Sequence, residues 1–302
     1  MRVIDVLNAP WAIVPDKLRE IQAIYATHLR GEKIDIKGIE AKLGKPLVNN
    51  EQGYDTVDGV AVIPIDGIIS KRMNLFSQIS GGASTELIGR DIRAALADPD
   101  VHSLLLQVDS PGGTVDGTQV LAQAIHGARG KKPIVTYVDG MMASAAYWIG
   151  SAADAIYIGA DTVQVGSIGV VASHTDYSRR EEMLGVKTTE IFAGKFKRIA
   201  SSHKPLSEDG KGYIQEMVDY LYSVFVADIA KQRGVDAETV LKNMADGRIF
   251  TGQQAVSAGL VDGVATMDRL IADLNAGTIG QQGRKARLAA LNAALQSAPV
   301  RA

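Results

Sequence analysis

The 302-residue chain contains no cysteine, and that one absence removes disulfide staples, thiolate nucleophiles and sulfur-ligated zinc together. A reducing compartment is compatible with it but does not follow from it. An excess of either charge is also missing. Lys plus Arg number 32 against 34 for Asp plus Glu, so no bulk field draws the chain to a polyanion, and nucleic acid is not expected as a partner. No window reaches the roughly 18 uninterrupted apolar residues of a membrane span. Asp5 and Asn8 interrupt the first apolar run, MRVIDVLNAPWAIV, and no small-residue cleavage site follows. Neither a signal peptide nor a membrane anchor is therefore expected, and a cytoplasmic location is. HExxH, EF-hand, GxGxxG and GxxxxGK[ST] patterns are all absent, as is any closely spaced histidine pair, so no metal and no other cofactor is expected. What is present is a composition that is 46% apolar, enough for one large core or two modest ones.

The pattern along the chain divides it. Leu18, Ile21, Ile24, Tyr25 and Leu29 recur at helical spacing and predict a helix from Pro15 to Leu29. A charged stretch with Gly44, Pro46 and Gly53 follows, so residues 1–55 read as a helical N-terminal extension and linker. From Gly59 the character changes. Strands are predicted over Gly59–Ser70 (interrupted at Gly67), Val101–Val108, Pro133–Val138, Ala155–Ile158, Val165–Ala172 and Lys187–Phe192. They alternate with helices over Thr85–Asp98, Asp116–Ala128, Asp176–Leu184, Pro205–Gly234 and Asp236–Met244, with a loop over 71–84. Thr251 to Gln254 read as a capping box opening a helix that Gly259 ends, and one more helix is predicted over 265–275. The alternation predicts an α/β domain over 56–275, with a mostly parallel sheet covered on both faces and its chemistry at strand ends. Residues 276–302, rich in Ala and Gln, read as a mobile or helical tail.

With no cysteine, a hydrolytic nucleophile has to be Ser, Thr or a carboxylate. Ser144 follows the Pro133 strand, sits among small residues and stands near the start of a helix, where a hydroxyl is exposed and backbone N–H groups face developing negative charge. A packing serine in an Ala-rich helix would look the same. The turn Asp109-Ser110-Pro111-Gly112-Gly113 could bring an amide close to a bound carbonyl, and so could any tight turn. None of the five histidines sits in a recognisable pairing, although His174 or His203 could approach Ser144 in space. Lys197, in GKFKRIASS, could act as a base if its site disfavoured the charged form. Composition alone reads it as a surface lysine beside Lys195 and Arg198.

Several separated segments resemble one family, the bacterial signal peptide peptidase A proteins and their phage-encoded relatives, which share the ClpP/crotonase-like fold of repeated β-β-α units. The segments are AVIPIDGII, DSPGG at 109–113, DGMMASAAYWI at 139–149, GSIGV at 166–170, AGKFK at 193–197 and FTGQQAVSAGLVD at 250–262. Their shared order and spacing carry the resemblance. By position, it implies Ser144 as nucleophile, Lys197 as general base, Ser167 as the residue that orients the lysine, and the amides of Gly113 and Ala145 as oxyanion hole. Ala145 and Ala146 stand where relatives often have glycine, and an alanine amide donates equally well.

The resemblance further implies a serine endopeptidase acting on polypeptides through an acyl-enzyme. It also implies a homo-oligomer in which a neighbour can complete the groove. With an extension in place of an anchor, it points to the phage branch: head maturation or capsid assembly proteases that process scaffold, portal or major capsid protein inside the prohead. A cytosolic housekeeping peptidase is the near alternative. A catalytically silent structural homologue and a crotonase-like acyl-CoA enzyme are the readings from other classes.

Overall fold

The computed structural model describes residues 10–15, 17–19, 53–72 and 82–279. The helix expected over Pro15–Leu29 and the tail over 276–302 lie mostly outside these described residues. Of the stretch read as an extension, Trp11–Ile13 forms a first strand, β1, and Asp55–Val57 a second, β2.

β2 turns into β3 (Val60–Asp66) through Asp58 and Gly59, both at positive φ (49° and 76°), the two-residue hairpin that an Asp-Gly pair favours. Gly67, at φ 72°, then bends the chain out of this sheet into β4 (Ile68–Ser70), followed by β5 (Gly82–Ser84) and helix α1 (Thr85–Ala97). The pattern repeats once. β6 (Ser103–Ser110) bends at Pro111 into β7 (Gly112–Thr114), and α2 (Thr118–Ala128) follows. These are the expected β-β-α units. A third long strand, β8 (Ile134–Ala143), passes directly into a short helix, α3 (Ala145–Gly150).

Two sheets result. The larger has eight strands, in which β3, β6, β8 and β10 (Gln164–Gly166) run parallel, with β2 and β11 (Ile249–Thr251) antiparallel at the ends. β8 serves two neighbours along one edge. Its residues Val135–Val138 pair with β9 (Ala155–Ile158), which in turn pairs with β12 (Gly263–Val264), while Met141–Ala143 pair with β10. The smaller sheet has the order β1-β7-β4-β5. Both sheets meet at the C-terminal ends of β3, β6 and β8.

Alternation along the strands sorts the core, as the two-residue period of a strand requires. Ala61, Ile63, Ile65, Leu104, Leu106 and Val108 face α1, α2, α3 and the long helix α5 (Glu208–Arg233) in the main apolar cluster. Val60, Val62, Leu105 and Val135 face the opposite way, against Leu270, Ile271 and Leu274 of the last helix, Met267–Asn275. That second face is covered only near the strand starts. Toward the strand ends Pro64, Asp66, Asp109 and Asp139 are exposed, so the sheet expected to be covered on both faces is open along part of one.

Other expectations shift locally. The strand expected over Val165–Ala172 stops at Gly166, because Gly166 (φ 114°) and Ser167 (φ 52°) turn the chain out of line. Lys187–Phe192 is no strand: no strand among the described residues pairs with it, and Ile191 and Phe192 are exposed. The helix expected from Asp176 is shorter, Ser178–Met183 (α4). Half of the capping box forms, with the Thr251 amide donating to Gln254 Oε1 at 3.4 Å, but Gly252 (φ 53°) is the N-cap of Gln253–Ser257. Part of the expected 71–84 loop is β5. The long helix agrees with its reading: Ser207 caps its start and Gly234, at φ 71°, ends it.

Candidate active site

Between the end of β8 and the start of α3, one residue makes the whole change of direction. That residue is Ser144, at φ 56° and ψ −116°. A non-glycine residue held there carries a strain of about 1–3 kcal/mol, which persists only where its surroundings over-determine it. The surroundings are specific. The Ser144 amide donates to the carbonyl of Gly166 at 2.7 Å, Trp148 N donates to the Ser144 carbonyl at 2.9 Å, and the hydroxyl donates to the carbonyl of Gly169 at 3.4 Å. Ser144 is 1% exposed.

The strand-end glycines converge on the same place. Gly112, at φ 103°, has no room for a side chain: a Cβ there would overlap the carbonyl oxygen of Ala12 and lie 2.9 Å from that of Ala143, the residue before Ser144. Gly113 lies flat against β4, where a Cβ would overlap the Ile69 backbone. Ser110 fixes the turn from behind, its hydroxyl donating to Gly67 O at 2.6 Å and accepting from Gly112 N at 3.2 Å. Ser167 adjoins through its neighbour. Gly166 receives the Ser144 amide, the Ser167 amide donates to Arg248 O at 2.7 Å, and the Ser167 hydroxyl makes no hydrogen bond among the described residues. Thus Ser144, Ala145, Gly113 and Ser167 are gathered at one junction of the two sheets.

What holds α3 rigid was not read from the sequence. Trp148 is fully buried, stacked on Phe225 of α5 with ring centroids 4.3 Å apart, and its Nε1 donates to Asp228 Oδ2 at 2.9 Å. Gln119 of α2 donates to the same Asp228 oxygen at 3.1 Å. Tyr147 is buried, its hydroxyl donating to Leu260 O at 2.8 Å, and burial pushes that phenol far above its ordinary value. At the far end of α3 the Arg129 guanidinium donates to the carbonyls of Ser151, Ala152 and Ala153 at 2.7–3.0 Å, and to Gln232 O at 3.1 Å. Helix ends leave such carbonyls without intrahelical partners. Behind it, Arg233 and Asp262 form a buried fork-to-fork ion pair at 2.9 and 3.1 Å. Burial alone would lower the Arg233 pKa, and Asp262 outweighs that and holds it above the usual value. The sequence signal for these contacts was only the spacing of apolar residues on α5, which says nothing about Asp228.

Lys197 is placed elsewhere. It stands exposed in a turn that its own amide closes onto Gly194 O at 3.0 Å, and among the described residues its ammonium has neither a hydrogen-bond nor an ion-pair partner. The turn belongs to an arm, residues 174–203, held by its own polar contacts. Arg198 pairs with Glu190, Ser201 Oγ donates to Glu190 Oε1 at 2.8 Å, and His203 Nδ1 meets Glu181 Oε1 at 2.6 Å. The bond from Arg198, with Ser201 adding to it, holds the Glu190 carboxyl below its ordinary range. His174 donates to Ser201 O at 3.0 Å. Both histidines are therefore engaged within the arm rather than at Ser144. Met183, Leu184, Val186, Ile191, Phe192 and Phe196 are all exposed along it.

A junction of this kind, a strained serine beside a glycine turn, is matched at the level of sequence. The family model described as Peptidase family S49 covers residues 127–279, which include Ser144, Ser167 and Lys197. The chain belongs to peptidase family S49. Among curated relatives, this S49 chain is 34% identical to the putative protease MJ0651 of Methanocaldococcus jannaschii over 79% of its own length and 71% of that protein's. It is 30% identical to the capsid assembly protease C of Escherichia phage lambda, over 70% of this chain and 47% of that one. It is 36% identical to a putative signal peptide peptidase SppA of Enterococcus faecium, over 67% and 59%. The S49 chain thus spans about half the length of the latter two. Among solved structures, ClpP1 of Listeria monocytogenes matches at 13% identity and a TM-score of 0.44, over 68% of this chain and 91% of that one, a likeness too loose to weigh on the site. Among the described residues no helix is long and apolar enough to cross a membrane.

Proposed function

We propose that this S49 chain is a serine endopeptidase in which Ser144 is the nucleophile, Lys197 the general base, Ser167 the residue that orients the lysine, and the amides of Gly113 and Ala145 the oxyanion hole. The observation that carries the reading is Ser144 itself: the family match supplies the peptidase class, and this serine alone turns the strand–helix junction at positive φ, next to Ala143, whose carbonyl crowds Gly112. In the reaction Lys197, neutral, takes the Ser144 proton as Oγ bonds to the peptide carbonyl carbon. The two amides receive the oxyanion, and the C–N bond breaks as Lys197 returns the proton to the leaving amine. Water, deprotonated by Lys197, then releases the acyl group and regenerates the hydroxyl.

Lys197 is exposed within a single chain, whereas the Ser167 hydroxyl has no hydrogen-bond partner among the described residues. Desolvation is one of the causes that shift a lysine toward its neutral form. The reading therefore places a second copy of the chain against the apolar arm, burying Lys197 and carrying it to a neighbour's Ser144. Purified protein should cleave an unfolded polypeptide and react with a fluorophosphonate. Ser144→Ala and Lys197→Ala should each lower turnover by at least about a thousandfold, with labelling lost in Ser144→Ala. Labelling that persists in Ser144→Ala, or full turnover in Lys197→Ala, overturns the assignment.

As its biological role we propose phage or prophage head maturation, with scaffold, portal or major capsid protein as substrate. Two relatives support it: the lambda capsid assembly protease and the head-tail preconnector protein GP5 of phage P21, 30% identical over 69% of this chain. Cleavage of a co-expressed scaffold protein, absent with Ser144→Ala, is the test. Cleavage of signal peptides alone would select the housekeeping role of a signal-peptide-peptidase-like enzyme.

A further inference from the structure

β1 is three residues long, lies at the start of the chain and is entirely buried, with Trp11 at 4%, Ala12 at 0% and Ile13 at 3% exposure. Its place explains the burial. On one side it pairs antiparallel with β7, in the register Trp11 with Thr114, Ala12 with Gly113 and Ile13 with Gly112, and Val14 N donates to Pro111 O at 3.0 Å. On the other side Trp11 and Val171 exchange two backbone hydrogen bonds of 2.9 Å. The two flanking segments carry the site: β7 holds Gly113, and Val171 follows Ser167 and Gly169 by a few residues. The carbonyl oxygens of Ala12 and Ala143 both crowd the same point beside Gly112, so β1 passes within a few ångströms of the turn that carries Ser144. Ser144, proposed to attack a polypeptide, is covered.

We propose that residues 10–14 of the chain are a resident competitor, seated between β7 and Val171 where an extended substrate segment would pair antiparallel to β7. The proposal rests on the peptidase reading of Ser144 for its function, but not for its geometry. Strand addition of this kind draws affinity from main-chain hydrogen bonds and selectivity from alternate side chains. Ala12, fully buried in register with Gly113, favours a small residue at that position. The buried neighbours Trp11 and Ile13 show that apolar side chains are accepted on either side. An intramolecular strand competes at an effective concentration on the order of millimolar, so a polypeptide substrate enters only when β1 leaves.

The test uses the full chain. Ala12→Arg places a charge where no side chain fits and should expel β1. Ile13→Asp is a second route to the same state, and thermal unfolding checks that each variant remains folded. The probe is a fluorescein-labelled synthetic peptide of residues 8–16, its binding followed by anisotropy in the Ser144→Ala background so that it is not consumed. The peptide should bind the expelled-strand variants at least about tenfold more tightly than the chain with β1 in place. The same peptide carrying Ala12→Arg should not bind. Added in excess to the otherwise unaltered chain, the peptide should raise hydrogen exchange at the Trp11 amide. Equal binding with and without β1, or no binding to either variant together with unchanged exchange at Trp11, overturns the proposal. Fluorophosphonate labelling of Ser144 in Ala12→Arg is read separately. It should be faster than in the unaltered chain, and its absence from both would sink the peptidase reading while the binding measurement still decides the competition with β1.

Discussion

Ser144 is tied to Gly166: its amide donates to the Gly166 carbonyl at 2.7 Å, across the pairing of β8 with β10. This bond helps to fix a serine whose backbone conformation is otherwise unfavourable. Gly166 stands at φ 114°, and a Cβ there would lie 3.0 Å from Arg248 O, so Gly166→Ala must shift the backbone at this point. The expected result is a fall in kcat of at least about tenfold, from misplacing the proposed nucleophile, with little change in the cooperativity of unfolding. Fluorophosphonate labelling rates, compared with thermal unfolding of the same samples, check it. An unchanged labelling rate would show that the Gly166 carbonyl does not position Ser144.

Mixing Ser144→Ala with Lys197→Ala tests where the proposed base comes from. If Lys197 serves a neighbouring copy, co-assembled Ser144→Ala and Lys197→Ala chains contain sites with an intact serine from one and an intact lysine from the other. Random assortment in a head-to-tail ring then restores about a quarter of the activity. If both residues act within one chain, no site in the mixture is complete and turnover stays at the level of the single variants. Turnover of an unfolded polypeptide after refolding the two chains together reads the difference.

Arg129 joins the end of α3 to α5 by donating to four carbonyl groups. Arg129→Ala strands several of these acceptors and should cost about 2–4 kcal/mol in denaturant unfolding. Arg129→Lys should recover only part of it, because an ammonium lacks the planar fork that reaches several oxygens at once. Recovery of full stability by lysine would mean that charge alone, rather than the fork, matters here.

How much of this was legible in the sequence depends on what each residue answers to. The β-β-α plan was readable because β3, β6 and β8 carry long apolar runs broken at Gly67 and Pro111, and a buried strand followed by a turn residue has few other readings. Ser144 and Gly113 could be singled out as candidates for the same reason, since both stand where such strands end, while their proposed roles came from the resemblance. The β2 hairpin was missed although Asp58-Gly59 is its signal, because Asp55–Val57 is exposed at every position and shows no apolar alternation. β1 was invisible for a different reason: three residues have no period, and only the partners waiting at Thr114 and Val171 make them a strand. Lys187–Phe192 failed in reverse, having strand composition but no edge to pair with among the described residues. Lys197 came from resemblance alone, and its surroundings in a single chain do not yet contain its task.

Three carboxylates on the open face of the large sheet make stability depend on pH in a direction that can be worked out. Asp66 ends β3, its register partner Asp109 lies near the end of β6, and Asp139 follows on β8. Partial burial, with the charges of Asp139 and Asp109 adding to it, raises the Asp66 pKa. The folded chain therefore holds this proton more tightly than the unfolded one. The stability it contributes is complete below the ordinary carboxylate value and is lost as pH rises through the raised folded value. Near neutral pH the charge on Asp66 works against the fold. Asp139→Asn removes one repelling charge, and its carbonyl can still accept the Gln107 amide that now donates to Asp139 Oδ2 at 2.8 Å. The melting temperature of Asp139→Asn should exceed that of the unaltered chain near pH 7, and the gain should shrink toward zero near about pH 3, below the ordinary carboxylate value, where Asp66 holds its proton. A gain that is the same at both pH values would assign the effect to packing or solvation at position 139, and a loss near pH 7 would show that Asp139 stabilises the fold through its charge.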